Sequence, residues 1–216
     1  MASKESFIYQ TGYFSKFFNV HAIDLKGFGD NGGMGYPYSL DDYVKEVKEY
    51  VTLNCKTRPH VIAHSFGARI VIKLAAENPE LFDRIVLTGA AGLKPKRTLK
   101  YYVKRCVFKI VKPFLNGKKP RCFYSSDYLS LNPVMQRSFS LIVNEYLDSY
   151  AGKIENPTLI IFGSKDRETP PYMARQLNKK IKNSKMLIFE GAGHFCFIDS
   201  PEKFNWEVRE FLLSKY

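Results

Sequence analysis

Ala63-His64-Ser65-Phe66-Gly67 is the stretch that decides the fold of this chain. It follows an apolar run, His60-Val61-Ile62, and opens a helical pattern over positions 69–76. The small residues at its two ends let the backbone bend tightly, which is typical of a serine at a sharp turn from a strand into a helix. The free N–H groups of the helix then point to where negative charge would develop on a group attacked by Ser65. On its own, the pattern fits an ordinary turn serine equally well.

Composition predicts one soluble globular domain. The chain has 216 residues, of which 45% are hydrophobic and 25% charged, so it is long enough to bury a substantial core. No apolar run approaches the roughly 18 residues that a membrane span needs. The first residues, Met1 to Ser6, lack the apolar core of a signal peptide, and we therefore expect a cytoplasmic protein.

The cysteines are scattered and form no CxxC pair, at Cys55, Cys106, Cys122 and Cys196. This spacing predicts free thiols rather than a disulfide framework or a zinc site. No other cluster with metal-ligand spacing stands out, so no metal site is predicted.

Apolar runs alternate with helical patterns along most of the chain. Near-continuous apolar strands separated by helices are typical of a parallel sheet covered on both faces. The alternation of strands and helices is interrupted between 93 and 153, which predicts a helical insertion over the carboxyl edge of the sheet. Strands are predicted at 19–25, 61–64, 84–89, 158–163 and 185–191, and helices at 40–53 and 201–213.

Two later loops carry groups that could activate Ser65. A serine hydroxyl needs a base, and the base needs an orienting carboxylate, because the hydroxyl is a poor nucleophile at neutral pH. The loop after the strand at 158–163 offers Asp166, with Glu168 nearby as an alternative acid, and the loop after the last strand offers His194. In open α/β sheets such groups meet where the strands end.

Several motifs in the same order make the chain similar to a known family. These are Asp24-Leu25-Lys26-Gly27-Phe28-Gly29, the turn at Ser65, Gly163-Ser164-Lys165-Asp166 with Thr169-Pro170, and Gly191-Ala192-Gly193-His194. Together they resemble the α/β-hydrolase family, in its lid-bearing branch of serine esterases and carbon–carbon bond hydrolases. The resemblance implies a mostly parallel sheet flanked by helices. It divides the chain into a core segment at 1–92 with the nucleophile turn, a helical lid at 93–153, and a core segment at 154–216 with the acid and histidine loops.

The resemblance also implies roles at the site. Ser65 is the nucleophile, His194 the general base and then acid, and Asp166 the orienting carboxylate. The backbone N–H of Phe66 is one oxyanion donor, and neither a metal nor an organic cofactor is needed.

Neighbouring residues receive supporting roles. His64 and Phe195 are expected at the substrate site, with His64 a structural neighbour rather than a second base. Asp24 is expected to brace the loop that follows it, and Ser164 only to shape its own turn.

One part of the family pattern is missing from the sequence. The family has strands before the segment seen here, the third of which ends in a His-Gly loop that supplies the second oxyanion N–H. We therefore expect an N-terminally truncated chain. A minimal hydrolase, in which the strands at 20–25 and 61–64 pair directly, is the competing interpretation.

The predicted insertion begins with a strongly basic segment. Positions 94–121 contain many lysines and arginines and no Asp or Glu, and they supply most of the net charge of +12. Apolar residues recur at helical spacing from Leu99 to Phe114, which predicts a basic amphipathic helix. We favour a solvated helix face. Attraction of an anionic substrate or peripheral contact with an anionic membrane is the alternative, and no nucleic-acid signature accompanies the charge.

The sequence thus predicts a serine hydrolase that cleaves a small or medium acyl ester and has a small-molecule acyl substrate as its partner. Two alternatives stay open. The same triad would serve a carbon–carbon bond hydrolase, since the pocket rather than the triad selects the bond. A truncated, inactive remnant that only binds ligands is the non-enzymatic alternative.

Overall fold

The computed structural model describes residues 3–96, 128–129 and 131–214. The predicted basic helix from Leu99 to Phe114, with Cys106 and Cys122, lies outside the described residues. Short 3-10 helices occupy Lys4–Phe7 and Gly29–Asn31. The helices are α1 (Ile8–Phe14), α2 (Leu40–Asn54), α3 (Ser65–Glu77), α4 (Pro133–Ile142), α5 (Asp148–Ala151), α6 (Pro171–Lys180), α7 (Cys196–Asp199) and α8 (Pro201–Leu213), and the strands are β1 (Val61–His64), β2 (Ile85–Thr88), β3 (Thr158–Gly163) and β4 (Ser184–Phe189).

The strands form one parallel sheet in the order β1-β2-β3-β4. The register pairs Val61 with Ile85, and Ile85 with Thr158. A helix follows each strand and returns the chain to the end of the sheet at which the strands begin. All the strands therefore point the same way. Their carboxyl ends therefore lie along one edge of the sheet, as predicted.

Alternate side chains of the inner strands pack on opposite faces of the sheet. Leu87 and Ile160 belong to the cluster that contains α2, α3 and α6, whereas Val86 and Leu159 belong to the cluster with α1 and α8. Every residue of β2 and β3 is buried, which explains why these strands are continuous apolar runs in the sequence. The prediction of a parallel sheet covered on both faces is confirmed.

The helix predicted at 40–53 is confirmed as α2, and its start is encoded locally. The Ser39 hydroxyl accepts a hydrogen bond from the Asp42 N–H, and the Asp42 carboxylate accepts one from the Ser39 N–H, which is a capping box. The helix predicted at 201–213 matches α8, which begins with Pro201 in its first turn.

The strand predicted at 19–25 is wrong, since this segment carries no strand pairing and β1 pairs with β2 alone among the described residues. A strand needs a ladder partner, and none of the described strands pairs with this segment. His21, Ala22 and Ile23 are exposed instead. The direct pairing of this segment with β1, which the minimal-hydrolase interpretation requires, is therefore not found. Asp24 lies near the end of the segment, and its carboxylate accepts hydrogen bonds from the N–H groups of Lys4 (2.7 Å) and Asp30 (3.1 Å), which confirms its bracing role.

The loops that follow β3 and β4 are held together by their backbones. The Lys165 N–H donates to the Ala192 carbonyl at 2.9 Å, and the Gly191 N–H donates to the Ser164 hydroxyl at 2.9 Å. A Cβ at Gly163 would lie 2.2 Å from the Gly193 carbonyl oxygen, so only glycine permits this approach. Ser164 thus joins two loops, and the expectation that it only shapes its own turn is wrong.

None of the helices in the described ranges is both long enough and apolar enough to cross a bilayer.

Replacing Gly163 with alanine should separate the two loops. We expect Gly163→Ala to lower the free energy of unfolding by about 2–3 kcal/mol, because the new methyl group meets backbone that cannot move without breaking the inter-loop hydrogen bonds. Urea unfolding measures the change. Gly12→Ala is the control, since nothing lies within 4 Å of its added Cβ and alanine favours a helix. Equal effects of the two substitutions would contradict the proposed inter-loop constraint.

Candidate active site

Ser65 lies at a strained turn between β1 and α3. Its φ of +48° is the one positive value for a non-glycine residue in the described chain. This conformation costs an L-residue roughly 1–2 kcal/mol and persists only where the surrounding structure imposes it. The Ala91 N–H donates to the Ser65 carbonyl at 3.2 Å. The half-buried Ser65 hydroxyl has no hydrogen-bond partner within the described residues, so the structure does not join it to His194, whose Nε2 contacts Glu168 instead.

Phe66, the next residue, anchors the turn through its ring. The ring stacks on Phe28 with centroids 5.6 Å apart and meets Tyr43 edge-on at 5.0 Å. Its backbone N–H lies in the first turn of α3, where N–H groups have no partner within the helix. This N–H therefore lies at the positive end of the helix.

Asp166 and His194 meet between the loops that follow β3 and β4. His194 Nδ1 lies 2.8 Å from Asp166 Oδ2, and both side chains are almost completely buried. Thr169 completes the contact, since its hydroxyl donates to Asp166 Oδ2 at 2.8 Å and lies 3.2 Å from His194 Nδ1. The carboxylate thus fixes the orientation of the imidazole ring.

The Asp166 carboxyl is stabilised in its charged form. Burial alone would raise its pKa, but hydrogen bonds from His194 and from the N–H and hydroxyl of Thr169 outweigh burial and hold the pKa below its usual value. Asp166 therefore remains a carboxylate at neutral pH, as an acceptor for the Nδ1 proton must.

Glu168 faces the other ring nitrogen. Its Oε2 lies 3.3 Å from His194 Nε2, and its side chain is 60% exposed. Of the two carboxylates that the sequence left open as the orienting acid, Asp166 contacts Nδ1 and Glu168 contacts Nε2.

His64 and Phe195 lie beside the imidazole of His194. The His64 ring is 4.5 Å from that of His194 and 4.8 Å from that of Phe195, measured between centroids. The Thr88 carbonyl accepts from His64 Nδ1 at 3.1 Å, while the buried Nε2 has no partner within the described residues. Burial, and then the charge of His194, lower the pKa of His64 to about 3, so it is neutral at physiological pH. His64 is therefore poorly suited to act as a second base, which agrees with its expected structural role.

Two contacts of the site were not predicted from sequence. The sequence presents Thr169 only as part of a motif, although a hydroxyl three residues after an aspartate is a recognisable turn signal. Gly89, at φ +50°, lies so close to His194 that an added Cβ would be 3.1 Å from the ring. No local signal identifies Gly89, because this contact joins distant parts of the chain.

A surface cavity of about 490 Å³ lies along α4. None of the predicted site residues lines it. Its walls are formed by Pro37, Tyr128, Pro133, Gln136, Arg137, Ser140 and Leu141.

Cys55 and Cys196 are free thiols in the described ranges, as predicted. No group of three or more His, Cys, Asp or Glu side chains there is arranged to hold a metal ion. Cys196 is buried, and burial raises the pKa of its thiol to about 11, so it is not a reactive nucleophile.

The chain is similar to proteins of known fold over nearly its whole length. Residues 3–207 match the model of a family described as the alpha/beta hydrolase family. A pimeloyl-[acyl-carrier protein] methyl ester esterase of Neisseria meningitidis is 24% identical over 216 residues, covering 89% of this chain and 68% of that protein. A 2-hydroxy-6-oxo-6-(2'-aminophenyl)hexa-2,4-dienoic acid hydrolase of Metapseudomonas resinovorans is 22% identical over 217 residues, covering 92% and 75%.

A solved structure shows the same fold. The esterase EaEST from Exiguobacterium antarcticum superposes with a TM-score of 0.76 at 21% identity, covering 99% of this chain and 88% of that one. At this level of identity the likeness concerns the fold.

The strain at Ser65 can be measured by comparing two substitutions. Ser65→Gly should be more stable than Ser65→Ala by about 1–2 kcal/mol, because glycine adopts a positive φ without the steric cost that alanine keeps. Urea unfolding gives both values. At Ser140, an exposed position in α4, the order should reverse, since glycine weakens a regular helix. If glycine and alanine were equally stable at position 65, the turn would not be strained.

The Asp166 contacts should make stability depend on pH. A carboxyl whose folded pKa lies below its unfolded value of about 3.9 stabilises the fold above that value, and the contribution is lost as pH falls through the folded pKa. The difference in unfolding free energy between the wild type and Asp166→Asn should therefore be largest near neutral pH and shrink below about pH 4. Urea titrations at pH 3, 5 and 7 test this. A difference that does not change with pH would rule out the stabilised carboxylate.

Proposed function

This chain belongs to the alpha/beta hydrolase family, and we propose that it is a serine hydrolase that cleaves small or medium carboxylic esters through Ser65, His194 and Asp166. The family and its esterase relatives make the chain a hydrolytic enzyme. One observation carries the finer assignment. His194 Nδ1 lies 2.8 Å from Oδ2 of the buried Asp166 carboxylate, and both residues lie at the same edge of the sheet as the strained Ser65.

The first half of the reaction forms an acyl-enzyme. Ser65 Oγ attacks the carbonyl carbon of the ester, and its proton passes to His194 Nε2. The Asp166 carboxylate stabilises the imidazolium through Nδ1, and the N–H of Phe66 donates to the oxyanion. The bond to the leaving oxygen then breaks, and that oxygen takes the proton from Nε2 and departs as the alcohol.

The second half restores the enzyme. Water attacks the acyl carbon and gives a proton to Nε2, which returns it to Ser65 Oγ as the acyl–oxygen bond breaks. The sum is one ester and one water converted to one carboxylic acid and one alcohol. None of these steps requires a metal or an organic cofactor.

The segment at 93–153 is proposed as the lid over this site. Its described part is tied to the core by buried cations of α3. Lys73 Nζ lies 2.6 Å from Glu145 and 2.5 Å from Asp41, and the Arg69 guanidinium donates to the Glu145 carbonyl at 2.9 Å. These contacts would hold the end of the lid against α3. For the basic half of the lid we keep the solvated helix face as the favoured interpretation and contact with an anionic membrane surface as the alternative.

A carbon–carbon bond hydrolase is the second candidate. The dienoic acid hydrolase of Metapseudomonas resinovorans, similar over 92% of this chain, favours it. The triad would be the same, and the difference would lie in the pocket.

A fluorophosphonate probe tests the nucleophile. We expect covalent labelling of the wild type and complete loss in Ser65→Ala, because the probe reacts with an activated serine hydroxyl. His194→Ala should slow labelling by about 10³-fold or more, since it removes the base. In-gel fluorescence and mass spectrometry of the labelled peptide measure both. A folded but unlabelled wild type would favour the ligand-binding remnant.

Substrate assays separate the two catalytic candidates. An esterase should hydrolyse p-nitrophenyl esters with a clear optimum of acyl chain length, lost in Ser65→Ala. Turnover confined to a ketone with a cleavable carbon–carbon bond would favour the second candidate.

A further inference from the structure

A second carboxylate contacts Nε2 of His194, the nitrogen that accepts and returns protons in the proposed mechanism. Glu168 Oε2 is 3.3 Å from His194 Nε2, on the side of the ring opposite the contact with Asp166. The Glu168 side chain is 60% exposed, whereas that of His194 is 7% exposed. The carboxylate thus reaches from solvent onto a buried ring.

The backbone fixes this placement. The N–H groups of Glu168 and Thr169 both donate to Asp166 Oδ1, at 2.9 and 2.8 Å. The chain therefore wraps around the Asp166 carboxylate, and the side chain two positions later lies across the open edge of the imidazole. Because this turn also supplies the contacts that hold Asp166, the position of Glu168 is coupled to the site.

The contact between Glu168 and Nε2 lies next to the position that the leaving oxygen of the substrate must reach. In the proposed mechanism, on which this inference rests, Nε2 gives its proton to the leaving oxygen. That oxygen must come within about 2.6–3.2 Å of Nε2. A group 3.3 Å from Nε2 therefore borders the part of the site that the leaving alcohol occupies.

We propose that Glu168 is a specificity-determining residue that selects esters whose leaving alcohol carries a positive charge, such as an amino alcohol. An ammonium group on the alcohol would pair with the Glu168 carboxylate, and an anionic alcohol would be repelled.

The surrounding charges make this carboxylate the local source of selection. The chain carries a net charge of +12, and Lys165 and Arg167, exposed on the same loop, are cationic. The Asp166 side chain is fully buried and committed to His194. A preference for a cation would therefore run against the overall charge of the protein, and among the described carboxylates Glu168 is the one in contact with Nε2.

A pair of thioesters of equal shape tests the proposal. Acetylthiocholine has a cationic leaving thiol, and S-(3,3-dimethylbutyl) thioacetate is its neutral isostere. The ratio of kcat/KM for the cationic to the neutral thioester, followed by release of the thiol, should be about fivefold in the wild type, the size expected of an exposed ion pair. It should fall to about one in Glu168→Gln and below one in Glu168→Lys.

A matched variant controls for loss of charge. Glu190 is exposed on the loop after β4, and no ion pair or hydrogen bond of the described structure joins it to His194. Glu190→Gln should keep the wild-type ratio. Labelling of every variant with the fluorophosphonate probe confirms that the Ser65 site is intact.

The outcomes separate this inference from the proposed function. An equal ratio in the wild type and Glu168→Gln, with normal labelling of both, would overturn the role of Glu168 alone. A ratio that falls equally in Glu190→Gln would also overturn it. Loss of labelling in Glu168→Gln would make the residue essential to catalysis rather than to selection. An unlabelled wild type would overturn both the inference and the proposed function.

Discussion

The backbone contact between the loops that follow β3 and β4 is the constraint on which the candidate site depends. Gly163 lies directly against the carbonyl groups of Ala192 and Gly193, and an added Cβ would meet them within 2.3 Å. Asp166 and His194 project from these same loops. Their separation of 2.8 Å therefore follows from a contact that the main chains make before any side chain is considered. The parallel sheet places both loops at the same edge, and the backbone contact between them aligns Asp166 with His194.

The electrostatics of the site follow from the different burial of two carboxylates. Asp166 is excluded from water and receives hydrogen bonds from His194 and Thr169, so its charge orients the imidazole of His194. Glu168 is largely solvated and can exchange its contact with His194 for another partner. A buried charge with fixed partners holds its neighbours rigidly, whereas an exposed charge can form an ion pair with a substrate. The imidazole between them contacts the buried carboxylate through Nδ1 and the exposed one through Nε2.

Most of the elements could be predicted from sequence, because their signals are local. β3 is a continuous apolar run because both of its faces are covered, and α2 begins at a capping box that the sequence itself encodes. The segment at 19–25 has a comparable apolar pattern but forms no strand, since strand formation requires a partner that a local pattern cannot supply. Ser164 was misassigned for a similar reason. Its hydroxyl accepts from Gly191, 27 positions away in the chain.

The sequence alone determined which chemical groups the chain carries and their order, namely a serine at a tight turn, an acidic loop and a histidine directly after a glycine-rich turn. It also determined that the strands are parallel, because apolar runs alternate with helices. Only the tertiary structure decided which carboxylate faces which nitrogen of His194, and that Gly89 lies against its ring. Asp166 and Glu168 are two positions apart on one loop, so spacing does not distinguish them. Their directions are set by backbone hydrogen bonds and by burial against a distant loop, and these exist only once the chain has folded.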